Sequence, residues 1–430
     1  MMLNNREKIN LYRLSFDGQV NAALNNKFPY YTFEFKENID GNKLSSAVIK
    51  ALDYHPSFKT KIVKIRRKYY LVENEKLPIV KEANWNESVV YGGDETNNYP
   101  WIITFCNNRV IFTCAHAICD GTGAVSLMRD VFNIYFGFKV EVPDDISKRF
   151  EDSFNANARR DAKEPFKRKK LDEPYKIPLS FYESDAQKSE LYQFIFKKKT
   201  IADIYHNNDT SMAALLSGMV AKALSKALNI DNGIINIMMP VNLRMMYGSI
   251  TDTGFVLTPK LAYQVAKLKN RSIDLTATAI RSQLDLFIDK DNLDYQITQA
   301  DRNNKLLNIA PFILKLAKKE FQKMLYSPSA SIIYTHLGDL AFSQELSDKL
   351  ETFYVAGSKS ASPLIVAMGS CFKDEITLTL SEFSKNNLLS QEFENILIEE
   401  KIEYKKQIVD THAIIEHKAK DSRTKKNQVV

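Results

Sequence analysis

From Pro143 to Pro178 the chain loses its apolar periodicity, and on each side of that stretch it spells out the same order of elements. The stretch is charged, carries Pro165, Pro174 and Pro178, and mixes Lys167-Arg168-Lys169-Lys170 with Asp161, Glu164, Asp172 and Glu173. A segment of that composition reads as a crossover between two folding units. Its length argues for some helix inside it, around 147–162, because long structureless loops are uncommon in compact proteins. At 430 residues the chain also exceeds what one hydrophobic core usually supports. The expectation is an N-terminal domain of 1–178 that includes the crossover at 143–178, a C-terminal domain of 179–417, and a basic, disordered tail of 418–430.

In the first half, Tyr31 to Lys36 (YTFEFK) alternates aromatic and polar residues as a strand does. Leu44, Val48 and Leu52 then repeat at helical spacing, and His55-Pro56 closes that helix because the residue before proline avoids helical angles. Thr60 to Ile65 and Lys68 to Val72 follow as a strand pair. Trp101 to Phe105 and Arg109 to Ala115 are two extended apolar runs joined by Asn107-Asn108, a favourable hairpin turn. Asp120-Gly121 opens a helix with Val125, Met128, Phe132 and Tyr135 on one face, ending near Gly137.

The second half restarts with a strand at Leu191 to Lys198 and an apolar helix over Ser211 to Leu228, with Asn208 and Asp209 as candidate caps. Ile234 to Pro240 reads as a strand. Helices are expected at Ile273 to Asp289 and Ala310 to Leu325, and a last one at Glu392 to Lys405. Strands are expected at Ser331 to Thr335, Phe353 to Val355, Leu364 to Cys371 and Ile376 to Leu380. Strand, helix, then more strands occurs twice, which points to two similar α/β halves rather than one wound sheet.

The formal charge of +7 suggests nucleic acid only until it is located. Lys418, Lys420, Arg423, Lys425 and Lys426 stand in the tail against Asp421 alone, and the remaining chain is mildly basic. No basic stripe interleaves with aromatics, so no nucleic-acid partner is expected. Four cysteines do not make a disulfide framework in a chain this long. Cys114, His116 and Cys119 cluster, but no second Cys/His pair completes a four-coordinate zinc site, so no metal is expected. Residues 1–19 lack a signal-length apolar run, and Lys222 and Lys226 interrupt the most apolar window, Met212 to Leu228. No transmembrane segment is therefore expected, and the chain reads as soluble and cytoplasmic. Ile313, Leu316, Phe321 and Leu325 among Lys315, Lys318, Lys319 and Lys323 read as an amphipathic helix packed on its own domain rather than on a membrane. His206, His412 and His417 stand in no motif and read as surface residues.

The segment Arg109 to Gly121, RVIFTCAHAICDG, delivers a histidine at a strand end with an aspartate four residues on, beside a glycine. A strand terminus holds an imidazole rigidly. Asp120, at a helix start, can cap backbone N–H groups or pair with a cation, and Gly121 lets the backbone turn without a side-chain clash. Spacing alone equally allows a core histidine followed by an N-cap.

With those residues, the sequence resembles the chloramphenicol acetyltransferase-like superfamily of CoA-dependent acyltransferases, which includes plant-type acyltransferases, alcohol acetyltransferases and the condensation domains of peptide synthetases. Its HxxxDG motif is matched by His116, Asp120 and Gly121; the early helix ending in His55-Pro56, followed by Phe58 and Lys59, is similar too. Pro240-Val241-Asn242-Leu243-Arg244 matches the segment that contributes an arginine, and Ser331 to Leu340 (SIIYTHLGDL) stands where relatives carry a strand ending in a Ser-Asn-Leu-Gly-like turn. Gly357-Ser358 and two strands follow in order. The resemblance spans residues 10–400. It implies an α/β (α+β two-layer) fold of two related domains with the active site at their interface. Ala115, where condensation domains carry a second histidine, and the absence of a DFGWG motif place the chain nearest the alcohol acetyltransferase-like branch. His336 replaces the asparagine common in the late turn.

The implied reaction moves a short acyl group from acyl-CoA, a co-substrate rather than a bound cofactor, to the hydroxyl of a small-molecule alcohol. His116 would be the general base, a task that suits a neutral histidine with its ordinary pKa near ~6.5. The resemblance further implies that Asp120 turns away from His116 and pairs with Arg244. Asn242, Ser249 and Thr251 are candidates for stabilising the oxyanion, and Lys359 is a candidate for CoA phosphate contact. The alternatives are a condensation-type enzyme using a carrier-protein thioester and a non-catalytic member of the fold.

Overall fold

The structure is a computed structural model that describes residues 12–14, 22, 29–65, 68–83, 92–165, 173–183, 190–207, 209–309, 312–326, 331–340, 342–357, 365–382 and 384–409. Lys359, the Lys167–Lys170 run, Asn208, His412, His417 and the basic tail lie outside them.

The first half begins with strand β1 (Tyr30–Phe35) and helix α1 (Gly41–Ala51), capped by the Asp40 carboxylate. A hairpin of β2 (Thr60–Ile65) and β3 (Lys68–Glu73) follows, then β4 (Val80–Glu82), β5 (Trp101–Cys106), β6 (Arg109–Cys114) and helix α2 (Gly121–Phe136). Asn107 takes the left-handed turn conformation that the β5–β6 hairpin needs, with φ 52°. Gly137 ends α2 at φ 80°, as a C-terminal glycine does. Phe33, Phe35, Phe112 and Phe132 are fully buried between this sheet and α2. Each contributes about 1.5–3 kcal/mol by leaving water.

The crossover contains a 3-10 turn at Ile146–Phe150 and a short helix at Ser153–Asn157. The second half then runs β7 (Glu190–Lys197), α3 (Met212–Ala227), β8 (Ile234–Met238), β9 (Lys260–Gln264), α4 (Ile273–Ile288), α5 (Lys290–Ile309) and α6 (Ile313–Tyr326). It continues with β10 (Ser331–Asp339), β11 (Leu350–Ala356), β12 (Ile365–Phe372), β13 (Glu375–Glu382), α7 (Leu388–Glu399) and β14 (Lys405–Ile408). Seven of these strands form one sheet in the order β9-β8-β10-β12-β13-β7-β14, parallel at β8/β10 and β10/β12. Its apolar face packs on α3 and α7 around Phe194, Leu216, Val220, Phe393 and Leu397.

One strand leaves its own half. β11 pairs antiparallel with β1, giving the first sheet the order β11-β1-β6-β5-β4. The fold is therefore two mixed α/β layers stitched by a strand exchange, with the end of β6 beside the join.

Several sequence expectations change. The helix over Glu392 to Lys405 starts earlier and stops at Glu399; Lys401 turns at φ 56° and Lys405–Ile408 is an edge strand. The cap of α3 is Ser211, whose hydroxyl accepts from the Ala214 N–H, while Asp209 lies in a turn at φ 48°. The strand expected at Ser331 to Thr335 runs on to Asp339 through a bulge. Helix α5, strand β9 and a helix at Lys198–Asn207 were not anticipated. In α6, Leu314 is buried while Leu316 is exposed, and His206 is exposed. Among the described residues, no helix is long and apolar enough to cross a membrane, and no group of His, Cys, Asp and Glu is arranged to hold a metal.

Candidate active site

Strand β6 ends at Cys114, and the six residues before α2 turn tightly: the Ala115 N–H donates to Pro100 O at 2.7 Å and the Ile118 N–H to Ala115 O at 3.1 Å. The turn leaves His116 half-buried while its neighbours Ala115 and Ala117 are buried. His116 Nδ1 lies 3.0 Å from the carbonyl oxygen of Cys119. A carbonyl only accepts, so the ring donates from Nδ1, and in its neutral form the lone pair lies on Nε2. The local backbone thus selects the tautomer that a general base at Nε2 requires.

Asp120 points the other way. Its carboxylate caps α2 by accepting from the Gly123 N–H at 3.1 Å, and accepts from the Phe255 N–H at 3.0 Å. Arg244 Nη1 and Nη2 each donate to it at 2.9 Å. The guanidinium also donates from Nε to Thr251 O and from Nη2 to Thr253 O, both at 2.7 Å, and from Nη1 to Asn242 Oδ1 at 3.1 Å. Both side chains are buried, 6% and 8% exposed, with their polar atoms paired, as a desolvated ion pair must have them.

The remaining sequence-derived candidates divide. Asn242 is exposed and donates from Nδ2 to Thr122 Oγ1 at 3.1 Å, linking the second half to the first turn of α2. Ser249 Oγ pairs with Ser153 Oγ at 2.8 Å, and the Thr251 hydroxyl donates to Glu151 O at 2.9 Å. Those two hydroxyls are spent on clasping the crossover. Lys359 lies outside the described residues.

Two glycines of α2 are demanded by close approach, not by backbone angle. A Cβ on Gly121 would stand 2.3 Å from Leu337 Cδ2, and one on Gly123 would stand 2.0 Å from the Asp252 carbonyl oxygen. The space at Gly121 is bounded by the movable end of a side chain, and that at Gly123 by fixed backbone. Leu337 reaches Gly121 because β10 bulges between His336 and Asp339, with Gly338 at φ 71°, and a bulge re-aims side chains. His336 itself is no free group: Nδ1 accepts from the Gly338 N–H at 2.8 Å, and the ring packs on Gly369 and 3.6 Å from Cys371 Sγ. Burial, opposed by Asp339, holds its pKa down to about 4, and burial pushes the Cys371 thiol up to about 12. Burial thus favours the neutral form of both groups. Cys114 and Cys119 are buried cysteines outside any disulfide, with their sulfurs 3.4 Å apart.

A cavity of about 520 Å³ opens beside this junction. Thr122, Val125, Ser126 and Arg129 of α2 form one wall, and Arg244, Ile250, Thr251, Leu337 and Leu340 lie among the others. His116 is not among its walls.

Sequence reasoning missed His55, which it took only as a helix stop. The imidazole is fully buried, with Nδ1 2.7 Å from Asp252 Oδ2 and Nε2 2.9 Å from Asp130 Oδ2. A signal was present: a histidine, an aspartate inside an apolar helix and an aspartate in a loop are each costly to bury alone.

No family model and no curated protein matches the sequence. Solved structures do. TRI101 of F. sporotrichioides, complexed with coenzyme A and T-2, superposes with TM-score 0.62 at 14% identity, over 92% of this chain and 99% of that one. TRI3, the trichothecene 15-O-acetyltransferase of Fusarium sporotrichioides, gives 0.60 at 11% over 90% and 94%. The epimerization domain from the third module of tyrocidine synthetase B gives 0.58 at 10% over 91% and 96%. The chain has the two-domain chloramphenicol acetyltransferase-like fold that TRI101, TRI3 and the epimerization domain share.

Proposed function

We propose that the protein is a CoA-dependent O-acyltransferase that moves an acyl group from acyl-CoA to the hydroxyl of a small-molecule alcohol, with His116 as general base. The observation that carries this reading is the 3.0 Å contact of His116 Nδ1 with Cys119 O, which in the neutral ring puts the lone pair on Nε2 at a half-buried strand end. The fold supports it: TRI101 was crystallised with coenzyme A, and TRI3 is an O-acetyltransferase.

The chemistry runs in two steps. Nε2 takes the proton of the alcohol as its oxygen bonds to the thioester carbonyl carbon, which becomes a tetrahedral oxyanion. Collapse breaks the C–S bond, and the leaving thiolate takes the proton back from Nε2. Such a base typically supplies about 10²–10⁴-fold. Asp120 contributes by anchoring α2 to Arg244, so its role is structural. Of the three oxyanion candidates, Asn242 is favoured: its amide nitrogen has two hydrogens, and only one is committed, to Thr122. The mildly basic body suits a phosphate-bearing donor, and Lys359 stays a proposed phosphate contact.

The test mixes purified protein with acetyl-CoA and longer acyl-CoAs and a panel of alcohols and amines, following free thiol by colorimetry. The reading expects thiol release with alcohols that is lost in His116→Ala. Undiminished release in that variant sinks the mechanism. Activity only with a carrier-protein thioester favours a condensation-type enzyme, and silence of folded protein with every donor favours a non-catalytic one.

A further inference from the structure

The His55 ring lies where four separate segments meet. Asp130 sits on α2, ten residues beyond Asp120; Arg149 belongs to the crossover; Asp252 belongs to the second-half loop that also carries Arg244. Carboxylate oxygens face both ring nitrogens at 2.7 and 2.9 Å, and a carboxylate can only accept. Both nitrogens must then be protonated. Arg149 Nη1 stands 3.1 Å from Asp130 Oδ2, and 2.9 and 2.5 Å from the two ring nitrogens. Those nitrogens flank one carbon, so an atom close to both lies over the ring face, not on either lone pair's axis. Arg129 Nε completes the set, donating to Asp130 Oδ1 at 2.9 Å. Arg149 and Arg129 match the two aspartates in charge, so it is the carboxylate oxygen on each ring nitrogen, not the net charge, that calls for the second proton.

The cluster bears on the catalytic helix. The Asp252 carbonyl packs directly on Gly123, and the Asp252 N–H donates to Arg149 O at 2.8 Å. From Asp120 to Asp130, α2 rises about 15 Å. The loop bearing Arg244 therefore grips this helix at both ends of that span, through Asp120–Arg244 and through Asp130–His55–Asp252.

We propose that His55 is a positioning residue for the acyl transfer inferred above: as an imidazolium between Asp130 and Asp252, it holds the helix that follows His116 in register with the Arg244 loop. The inference rests on that reading of His116. Deprotonation removes one of the two ring–carboxylate bonds and loosens the register. Burial resists the charge on His55, but Asp252 and Asp130 outweigh both it and Arg149, so the ring's pKa is raised from its ordinary value. Activity should then fall at alkaline pH as His55 loses its proton.

Two measurements test this. In wild-type protein, ¹⁵N imidazole chemical shifts, assigned by through-bond correlation or by loss of the signal in His55→Gln, should show both His55 nitrogens protonated at pH 7.5. A neutral ring there overturns the proposal. In the thiol-release assay, Asp252→Asn should move the alkaline limb of kcat to lower pH. His55→Gln should abolish that limb and cost about 10²-fold in kcat, as a misplaced base does. An alkaline limb unchanged in both variants also overturns the proposal, because a purely packing role would lower Tm and leave the profile's shape alone. If wild-type protein turns over no thioester, the reading of His116 fails, and the ring titration still decides whether His55 is the charged tie.

Discussion

Asp120 and Arg244, 124 residues apart in the chain, meet through two hydrogen bonds of 2.9 Å that join the start of the helix after His116 to a loop of the other half. Each partner also satisfies nearby backbone groups, so the pair works as a rivet between halves. Removing one side alone strands a buried charge.

Asp120→Ala is therefore expected to cost about 3–5 kcal/mol in stability, with loss of activity following from the displaced helix. Urea denaturation of Asp120→Ala, Arg244→Met and Asp120→Ala/Arg244→Met measures it. The double variant should be less destabilised than the sum of the singles, since it leaves no unpaired charge. Additive losses would show that the two residues act independently.

The close approach at Gly123 makes a sharper local prediction. A methyl there meets the Asp252 carbonyl oxygen, a backbone atom that cannot rotate aside. Gly123→Ala should lose about 1–3 kcal/mol, in the range of overpacked cores, and lower kcat by shifting the loop that bears Arg244. Gly254→Ala, where nothing lies within 4 Å of the added methyl, is the control and should leave both unchanged. Thermal melts and the thiol-release assay read the two together.

How far the sequence revealed this arrangement depended on distance along the chain. The strand end at His116, the cap at Asp120 and the stop at Gly137 were legible because each is set by a few neighbouring residues. Phe353 to Val355 was legible as a strand, but nothing local says that it pairs with Tyr30–Phe35 instead of its own half. His55 looked like a helix end because its partners stand at 130, 149 and 252. Helix α5 escaped notice because much of its buried face is polar, with Asn292, Asp294, Thr298 and Asp301 inside, so it shows little apolar period. The terminal strand KKQI is exposed at every position, and an edge strand of that kind carries no alternation to read.

The cysteines offer a check on burial around the motif. Cys114, Cys119 and Cys371 are buried, while Cys106 is partly exposed at the end of its strand. A thiol-specific colorimetric reagent should titrate one cysteine, Cys106, in native protein and all four in denaturant. Rapid labelling of Cys119 in the native state would contradict a packed turn behind His116.

His336 gives the protein an acid-labile element with a defined sign. Its folded pKa, about 4, lies below the ~6.5 of an unfolded histidine because burial disfavours the cation. Between those values the unfolded chain binds a proton that the native ring does not, so stability falls as pH drops from about 6.5 towards 4. Above that window the contribution is fully present. The shift corresponds to at most about 3 kcal/mol, reduced by the ring's partial exposure. His336→Asn can still accept from the Gly338 N–H and does not titrate in this range. Urea denaturation at pH 7.5, 5.5 and 4.5 should show wild-type protein losing more stability than His336→Asn over the same interval. Parallel losses would mean that His336 is protonated in the native state at pH 4.5, and that its packing on Gly369 and Cys371 is looser than the structure has it.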